Sequence, residues 1–274
     1  MKAGVIGVGA MGSMFVERFH KAGLETVVYD VSPAAVERCV AMGSTAAPSP
    51  AAVAEVADVV DVMVLNEQQV LDAVLGEGGV LQGMTAGKLL LLHSTVHPRV
   101  TRQVAEAAGP RGVRVADGCV TGRPWVVQAG QAVGIVGCDD DLFPRVEAHM
   151  RHFCKDVFHM GGIGAGNAAK AVKNFITAAE RLVIWEGLRV AEAEGVSYTK
   201  LLNLMRAAVH ESVVDKWEET FDPSGVSPKP VGAYVLFEKD VPLAEELAAD
   251  HNLDVPLLHE LVAAGKRLDN KHHS

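Results

Sequence analysis

Residues 7–12 of the chain are Gly7-Val8-Gly9-Ala10-Met11-Gly12, a G-x-G-x-x-G run close to its start. The apolar stretch Ala3-Gly4-Val5-Ile6 precedes the glycines and suits a buried parallel strand. Beyond them, Met14, Phe15 and Phe19 recur at helical spacing. A lone glycine pattern is a weak signal, but here a strand, a glycine turn and a helix follow in order. The stretch therefore predicts a βαβ unit of the kind that binds a dinucleotide.

Each glycine of this run has its own expected role. Gly7 allows the tight turn, Gly9 lets the backbone approach a pyrophosphate, and Gly12 lets the helix pack closely on the strand. The helix N-terminus offers free N–H groups to phosphates, so Ala10 and Met11 are also expected to bind the cofactor. A glycine turn that holds no ligand is the alternative, and the flanking strand and helix disfavour it.

A carboxylate at Asp30 indicates which dinucleotide binds. The stretch Glu25-Thr26-Val27-Val28-Tyr29 predicts a second strand that ends at Asp30, at about the ~20-residue offset expected for a contact with the adenosine ribose. This carboxylate would accept hydrogen bonds from the ribose hydroxyls and repel a 2′-phosphate. We therefore expect NAD, while the nearby Arg38 keeps NADP open as the alternative.

Composition narrows the class of protein. The chain has 274 residues, of which 49% are hydrophobic, enough for one large or two medium domains. A formal net charge of −9 and scattered Lys and Arg residues argue against a nucleic-acid partner. Four cysteines without a C-x-x-C pair favour reduced thiols. With no signal peptide and no apolar stretch of about 20 residues, we expect a cytoplasmic protein without a membrane partner.

Short aliphatic runs alternate with helical patterns up to about residue 160. This alternation predicts an α/β fold, a doubly wound Rossmann-type N-terminal domain whose parallel sheet is covered on both faces. The pairs Ser32-Pro33 and Ser49-Pro50 predict helix starts with a capping hydroxyl before proline. Strands are predicted at 3–6, 25–30, 59–65, 89–93, 113–117, 132–136 and 157–159.

The pattern changes after the glycine-rich run Gly161-Gly162-Ile163-Gly164-Ala165-Gly166. From Asn167 to Glu194 the sequence predicts one long helix without proline, closed by Gly195. Further helices are predicted at 198–210, 212–219, 232–251 and 256–267. We therefore predict a dinucleotide-binding domain over 1–163 and an all-α domain over 164–274, joined by a long interdomain helix.

The motif Gly164-x-Gly166-x-x-x-Lys170-x-x-x-Asn174 resembles the catalytic helix of the β-hydroxyacid dehydrogenases, the family of 3-hydroxyisobutyrate dehydrogenase. The resemblance implies NAD(P)-dependent oxidation of a 3-hydroxy acid to its semialdehyde, or the reverse, and a C-terminal domain like that of 6-phosphogluconate dehydrogenase. Nearly the whole chain takes part, because further matching motifs are Gly7-x-Gly9-x-x-Gly12 with Asp30, Ser94-Thr95-x-x-Pro98, Asp117-x-x-x-Thr121-Gly122 and Lys239-Asp240.

The same resemblance assigns roles to residues of this chain. It implies that Lys170 is the catalytic acid/base, that Asn174 helps to hold the substrate, and that Thr121 and Gly122 bind the substrate carboxylate. Four residues apart on a helix, Lys170 and Asn174 share a face and can reach one small molecule. A lysine can accept the hydroxyl proton in oxidation and donate it in reduction. Most helix lysines are solvated, however, and Lys173 is a neighbouring candidate.

The chain departs from the family's usual Ser-Gly-Gly segment, since Arg123, Pro124 and Trp125 follow Thr121-Gly122. We expect Arg123 to clamp a carboxylate and Trp125 to form an aromatic wall of the substrate site. The alternative is that both are ordinary surface residues. The identity of the hydroxy acid therefore stays open.

Other residues are expected near the cofactor. Leu65 and Asn66 follow one strand, and Thr95 follows a later one, at the sheet edge where doubly wound folds bind cofactors. Asn66 and Thr95 are the candidates for the nicotinamide ribose. The resemblance places Lys239 near the nicotinamide or substrate, although a lone lysine is more often a solvated charge. His210 is a weaker candidate for the substrate pocket.

No metal site is expected. His149, His152, Cys154 and His159 lie close in sequence, but their spacing matches no ordinary zinc pattern. The expected partners are a small hydroxy acid or aldehyde acid and further copies of the chain, in a homodimer or homotetramer that completes the burial of the long helix. Two alternatives are an imine or ketone reductase, which Lys170 disfavours, and a dinucleotide-binding protein without turnover, which would not need Lys170 and Asn174 together.

Overall fold

The apolar runs of the N-terminal region form one eight-stranded sheet with the strand order β3-β2-β1-β4-β5-β6-β7-β8. Its strands are β1 (Lys2–Ile6), β2 (Glu25–Tyr29), β3 (Thr45–Ala46), β4 (Val59–Val62), β5 (Leu89–Leu92), β6 (Arg114–Thr121), β7 (Ala132–Gly137) and β8 (Cys154–His159). The direction of winding reverses between β1 and β4, which is where doubly wound sheets bind their ligands. The glycine run follows β1 directly, at this point of reversal.

Helices cover both faces of the sheet, as predicted. Neighbouring residues of one strand enter different apolar clusters: Val59 packs in the cluster of Phe15 and Phe19, and Val60 in that of Val70 and Val104. Strands buried on both faces read as continuous apolar runs, which explains the sequence of β5. These helices are α1 (Gly12–Lys21), α2 (Pro33–Ala41), α3 (Pro50–Val56), α4 (Glu67–Leu75), α5 (Val80–Gly83), α6 (Pro98–Ala108), α7 (Pro124–Gln128) and α8 (Phe143–Met150).

Most of the sheet is parallel, as predicted, but the prediction does not hold between β6 and β7. These two strands are antiparallel, with Asp117 opposite Gly137 and Thr121 opposite Val133. A parallel pair needs a crossover of roughly a dozen residues or more. The connection over residues 122–131 holds only the short helix α7, so β7 returns alongside β6 in the opposite direction.

The two predicted serine caps differ. The Oγ of Ser49 accepts a hydrogen bond from the backbone N–H of Ala52 at 3.1 Å, as predicted. Ser32 precedes α2, but its side chain makes no cap hydrogen bond, so that prediction is wrong. Its backbone N–H instead donates to Asp30 Oδ1 at 2.8 Å, and the carboxylate of Asp30 orders this turn.

The computed structural model describes residues 1–193, 196–208, 239, 241–250 and 256–269. The chain divides into two units, Met1–Lys170 and Ala171–Ser274, and the boundary predicted at residue 163 stays a prediction. The described part of the second unit is helical, with a small apolar core that includes Ala178, Leu182 and Leu261. Its helices are the continuation of α9 (Ala165–Ala193), then α10 (Tyr198–Ala208), α11 (Val241–Asp250) and α12 (Pro256–Asp269).

Some predicted features lie outside the described residues. They include His210, the helix predicted over 212–219 and, apart from Lys239, the first part of the helix predicted over 232–251. Within the ranges that the structure does describe, no helix is long and apolar enough to cross a membrane.

Candidate functional site

The three glycines of the first loop differ in the space around the position that a Cβ would occupy. Gly7 has φ +85°, and a Cβ there would lie 2.2 Å from the carbonyl oxygen of Met63. A Cβ on Gly12 would lie 1.9 Å from the carbonyl oxygen of Gly7. A Cβ on Gly9 would meet no atom within 4 Å. The fold itself requires glycine at positions 7 and 12, whereas Gly9 faces open space, as expected where a ligand approaches the backbone.

Helix α1 presents its N-terminus at this loop. Met11 occupies the N-cap position without a side-chain cap hydrogen bond, and no acidic residue lies in the first turn. The neighbouring Gly9 and Ala10 are exposed. Because N–H groups of a first helical turn lack intrahelical acceptors, they can bind an anion such as a pyrophosphate.

Asp30 lies beside the glycine loop and is hydrogen-bonded to it. Its Oδ2 accepts a hydrogen bond from the backbone N–H of Val8 at 2.7 Å, and its Oδ1 accepts from Ser32. Each carboxylate oxygen can accept more than one hydrogen bond, so this half-buried group can also receive ribose hydroxyls. The guanidinium of Arg38 donates to the carbonyl of Ala34 within α2. Together with the glycines, these residues fit an adenine dinucleotide.

The predicted residues after β4 and β5 lie at the same edge of the sheet as the glycine loop, because β1, β4 and β5 are adjacent and parallel. The hydroxyl of Ser94 donates to the carbonyl of Val64 at 2.7 Å and accepts from its N–H at 3.0 Å. This pair joins the ends of β4 and β5. Leu65 and Thr95, the residues that follow them, are thereby held close to each other.

Asn66 has a structural role that its sequence position did not reveal. Its Oδ1 accepts a hydrogen bond from the backbone N–H of Gln69 at 2.9 Å and caps α4. The side chain of Gln69 in turn accepts from the N–H of Leu65 at 2.9 Å. The reciprocal bonds fix the start of α4, and the contact of Asn66 with a nicotinamide ribose stays a prediction.

Strand β6 reaches further than predicted and changes the setting of Thr121. The strand was expected to end at Asp117, which is wrong, because residues 118–121 continue it by pairing with β7. Thr121 is therefore the last strand residue, and Gly122 follows with φ +143°, a conformation that favours glycine. Gly118, which interrupts the apolar pattern, concealed this extension.

Arg123 and Trp125 lie next to each other after β6. The guanidinium carbon of Arg123 is 5.8 Å from the ring centroid of Trp125, within the range of a cation–π contact. Trp125 is 56% exposed, unusually open for so large an aromatic side chain. The pair is accessible to a ligand, and its contact with substrate stays a prediction.

Asp117 secures the start of α9, a function that we did not predict. The residue is fully buried; its Oδ1 accepts from the N–H of Gly164 at 2.7 Å and its Oδ2 from the N–H of Asn167 at 2.6 Å. Burial raises the pKa of Asp117 to about 6, and the two backbone hydrogen bonds offset only part of this effect. The carboxylate thus joins the middle of β6 to the first turn of α9.

The side chain of Asn167 extends this connection. Its Oδ1 accepts a hydrogen bond from the N–H of Val96 at 2.8 Å, and its Nδ2 donates to the hydroxyl of Thr101 at 3.1 Å. Both partners follow Thr95 in the sequence. The first turn of α9 is therefore bonded to the segment that carries one of the predicted cofactor residues.

Burial separates the two lysines of α9. Lys170 is 8% exposed, whereas Lys173 is only partly buried. Lysine is almost never fully buried unless it is paired, so the position of Lys170 is unusual. Asn174 is also buried, at 5% exposure, and four residues along one helix place the two side chains on the same face. Lys239 is half-buried in the second unit.

A second polar cluster lies inside the first unit. Asp61 in β4 is fully buried; its Oδ1 is 2.7 Å from Nε2 of His93, and its Oδ2 is 2.9 Å from Nε2 of His149. Burial alone would raise the pKa of Asp61, but the two histidines outweigh it and hold the pKa well below its usual range. The other ring nitrogen of His93 donates to the carbonyl of Gly118 at 2.5 Å. Nothing in sequence spacing pointed to this cluster.

Of the four residues that lie close in sequence, His149 is in α8, Cys154 and His159 are in β8, and His152 is in the turn between them. Among the residues that the structure describes, no group of three or more His, Cys, Asp and Glu side chains is arranged to hold a metal ion. The four cysteines are buried as free thiols.

Comparison with known proteins connects these features. Residues 2–162 match the model of the NAD binding domain of 6-phosphogluconate dehydrogenase, and residues 164–273 match that of the NAD-binding domain of NADP-dependent 3-hydroxyisobutyrate dehydrogenase. The 2-(hydroxymethyl)glutarate dehydrogenase of Eubacterium barkeri is 28% identical over 262 residues, covering 94% of this chain and 85% of that protein. The NAD-dependent L-serine dehydrogenase of Pseudomonas aeruginosa is 29% identical over 258 residues, 92% of this chain and 87% of that protein.

A solved structure shows the same fold. The 3-hydroxyisobutyrate dehydrogenase of Mycobacterium tuberculosis, with L-serine, superposes with a TM-score of 0.87 at 22% identity, over 99% of this chain and 94% of that one. The predicted Rossmann-type domain followed by a helical domain is confirmed, as is the nicotinamide dinucleotide as cofactor. Because family models match residues 2–162 and residues 164–273, the chain belongs to the β-hydroxyacid dehydrogenase family.

Proposed function

We propose that this protein is an NAD-preferring dehydrogenase that interconverts a 3-hydroxy acid and its semialdehyde, with Lys170 as general acid/base. One observation carries the proposal: Lys170 is buried on a helix whose first turn is hydrogen-bonded to the segment after β5. That segment lies at the sheet edge that also carries the glycine loop. A solvated lysine on the outside of the same helix would lack this burial.

The chemistry requires a proton to move at the substrate oxygen. A bound dinucleotide supplies the acceptor for the hydride that leaves the alcohol carbon. The neutral amine of Lys170 accepts the hydroxyl proton in oxidation, and its ammonium returns a proton to the carbonyl oxygen in reduction. Asn174, one helical turn further, contributes amide hydrogen bonds that orient the substrate. General acid/base catalysis of this kind contributes about 10²- to 10⁴-fold in rate.

The end of β6 supplies the groups for a carboxylate. Thr121 offers a hydroxyl, and Gly122 with its positive φ presents a backbone N–H. The guanidinium of Arg123 follows at once and can bind a carboxylate through two hydrogen bonds. The names of the relatives support this substrate class, because serine, 3-hydroxyisobutyrate and 2-(hydroxymethyl)glutarate all carry a hydroxymethyl group next to the carbon that bears the carboxylate.

Asp30 supports a preference for NAD. Its carboxylate is held at the glycine loop by the N–H groups of Val8 and Ser32. A 2′-phosphate placed there would meet a fixed negative charge, which costs binding free energy. Arg38, the residue that kept NADP open as an alternative, donates to its own helix.

A substrate and cofactor screen tests the proposal. The purified full-length chain is assayed by the absorbance of reduced cofactor with 3-hydroxyisobutyrate, L-serine, 2-(hydroxymethyl)glutarate and 2-hydroxy acids, each with NAD and with NADP. We expect the highest kcat/KM for a 3-hydroxy acid with NAD. Reduction of cyclic imines without oxidation of any hydroxy acid would instead identify an imine reductase. Tight NAD binding without turnover of either class would identify a non-catalytic binding protein.

A further inference from the structure

The buried carboxylate of Asp117 is enclosed by glycine backbone on two sides. A Cβ on Gly137 would lie 2.6 Å from its Oδ1, and a Cβ on Gly166 would lie 2.8 Å from its Oδ2. Both oxygens are used as acceptors, toward Gly164 and Asn167. The surrounding backbone therefore fixes the position of the carboxylate. Its two hydrogen bonds in turn fix the backbone of the first turn of α9 relative to β6.

Asn167 carries this constraint to the neighbouring segment. Its backbone N–H is held by Asp117 and its amide by Val96 and Thr101, and all four residues are buried. Helical side chains lean toward the N-terminus, over the turn before their own Cα. The side chain of Lys170, three residues after Asn167, is thus expected over the turn that Asp117 holds.

We propose that Asp117 is a positioning residue that acts through Asn167 to hold the Lys170 amine where it exchanges a proton with the substrate. This inference rests on the proposed role of Lys170. It makes the fixed geometry of the helix start, as well as the lysine itself, a requirement of the reaction. A misplacement of about 1 Å can cost about 10²-fold in rate, even when the responsible change lies away from the reacting atoms.

The proposal requires the ionised carboxylate. A protonated carboxyl would point an O–H at a backbone N–H and lose one of its two hydrogen bonds to α9. Burial raises the pKa of Asp117 to about 6. The charge of Arg102 opposes this rise, and the thiol of Cys138 lies close by. Asp117 is therefore protonated at a pH at which the activity of the enzyme can be measured. We expect kcat to decline as the pH falls through about 6. The folded state binds this proton more tightly than the unfolded chain, so the same protonation adds to stability as activity falls.

The test compares Asp117→Asn with a matched control, Thr26→Val. Thr26 is equally buried and hydrogen-bonded to His20 at 2.6 Å and Ser44 at 2.7 Å, with neither bond reaching α9. Both variants lose buried hydrogen bonds and should unfold at a lower denaturant concentration than the wild type. Three quantities are measured in each: kcat from pH 5 to 8, the KM for NAD, and the rate at which an acylating reagent modifies Lys170, followed by mass spectrometry.

We expect Asp117→Asn to lower kcat about 10- to 100-fold, leave the KM for NAD within about twofold, abolish the decline near pH 6, and increase acylation of Lys170 several-fold. The control should change none of these. If Asp117→Asn does not fold, Asn167→Ser should reproduce the loss of kcat and the faster acylation while keeping the decline near pH 6.

The proposal is overturned if Asp117→Asn keeps the wild-type kcat and pH profile, or if Thr26→Val loses kcat to the same extent. If the wild-type enzyme oxidises no hydroxy acid, the proposed function fails, and acylation of Lys170 still decides the positioning. Unchanged acylation in both Asp117→Asn and Asn167→Ser then contradicts it.

Discussion

Gly9 and Gly12 lie three residues apart in one loop, yet the molecule needs them for different reasons. A Cβ on Gly12 would overlap the carbonyl oxygen of Gly7, whereas a Cβ on Gly9 would enter empty space. The first is a constraint of folding, and the second makes sense only when a ligand fills the space. The sequence motif already assigns the two glycines different roles, and the structure gives the contacts that distinguish them.

We therefore predict opposite effects for two alanine variants. Gly9→Ala should keep its free energy of unfolding within about 1 kcal/mol and bind NAD at least about tenfold more weakly, because the methyl group occupies the approach of the pyrophosphate. Gly12→Ala should lose about 3 kcal/mol or more, because the overlap forces the helix away from the strand. Calorimetric titration with NAD and denaturant unfolding measure both. Wild-type affinity in Gly9→Ala would show that the loop does not hold the cofactor.

We propose that Asp30 determines the choice between the two dinucleotides. We expect Asp30→Ala to lower the ratio of kcat/KM with NAD to that with NADP by about tenfold, since the repulsion of a 2′-phosphate is removed. Activity with NAD should itself fall, because Val8 loses its acceptor. Arg38→Ala is the control and should leave the ratio within about twofold, since Arg38 is bonded to Ala34. An unchanged ratio in Asp30→Ala would assign cofactor choice to other residues.

At the scale of secondary structure, the cluster of Asp61, His93 and His149 joins β4, the end of β5 and α8 inside the first unit. Removal of one partner from a buried charged cluster leaves the others unpaired, which costs about 3–5 kcal/mol. Asp61→Ala should lose stability by this amount in denaturant unfolding. Asp58→Ala, an exposed carboxylate in the same region, should lose less than about 1 kcal/mol. A loss below about 1 kcal/mol in Asp61→Ala would contradict the ionised cluster.

The same cluster has a defined dependence on pH. The pKa of Asp61 is lower in the folded protein than in the unfolded chain, so its contribution to stability is present above about pH 4 and is lost below it. Asp117 acts in the opposite sense, because its pKa is raised in the folded state. When the free energy of unfolding is measured against pH, Asp61→Ala should therefore lack the loss that Asp61 causes below about pH 4.

Most elements of the first unit could be predicted because their signals are local. Apolar runs and the glycine turn define β1, α1 and the buried strands within a few residues each. The two-residue strand β3 has no apolar signal, since both of its residues are exposed. The direction of β7 was mispredicted because an apolar run does not reveal the direction in which its strand pairs.

The anchors of the site could not be predicted for a different reason. The contact between Asp117 and Asn167 joins residues that are 50 positions apart in the chain. The motif resemblance already favours Lys170 over Lys173, and the burial of Lys170, which spacing along one helix does not reveal, supports that prediction. The sequence thus predicts candidate residues, and the structure shows the hydrogen bonds that fix the segments on which several of them lie.

At the scale of the whole molecule, the chain belongs to a family whose members act on hydroxy acids with a nicotinamide dinucleotide. We propose that it assembles as a homodimer or homotetramer, because α9 exposes apolar side chains in the second unit, among them Val172 and Ile176. Sedimentation equilibrium should give two or four times the chain mass of 29.0 kDa. A species of single-chain mass at micromolar concentration would contradict this assembly.

The central claim is that a buried lysine of α9 moves the proton of the reaction. Its most direct test is the kcat/KM of Lys170→Ala for the best hydroxy acid. Lys173→Ala is the control, and the affinity for NAD is measured for both variants. We predict that Lys170→Ala loses about 10²- to 10⁴-fold in kcat/KM with NAD affinity unchanged, and that Lys173→Ala stays within a few-fold of wild type. Wild-type kcat/KM in Lys170→Ala would contradict the account.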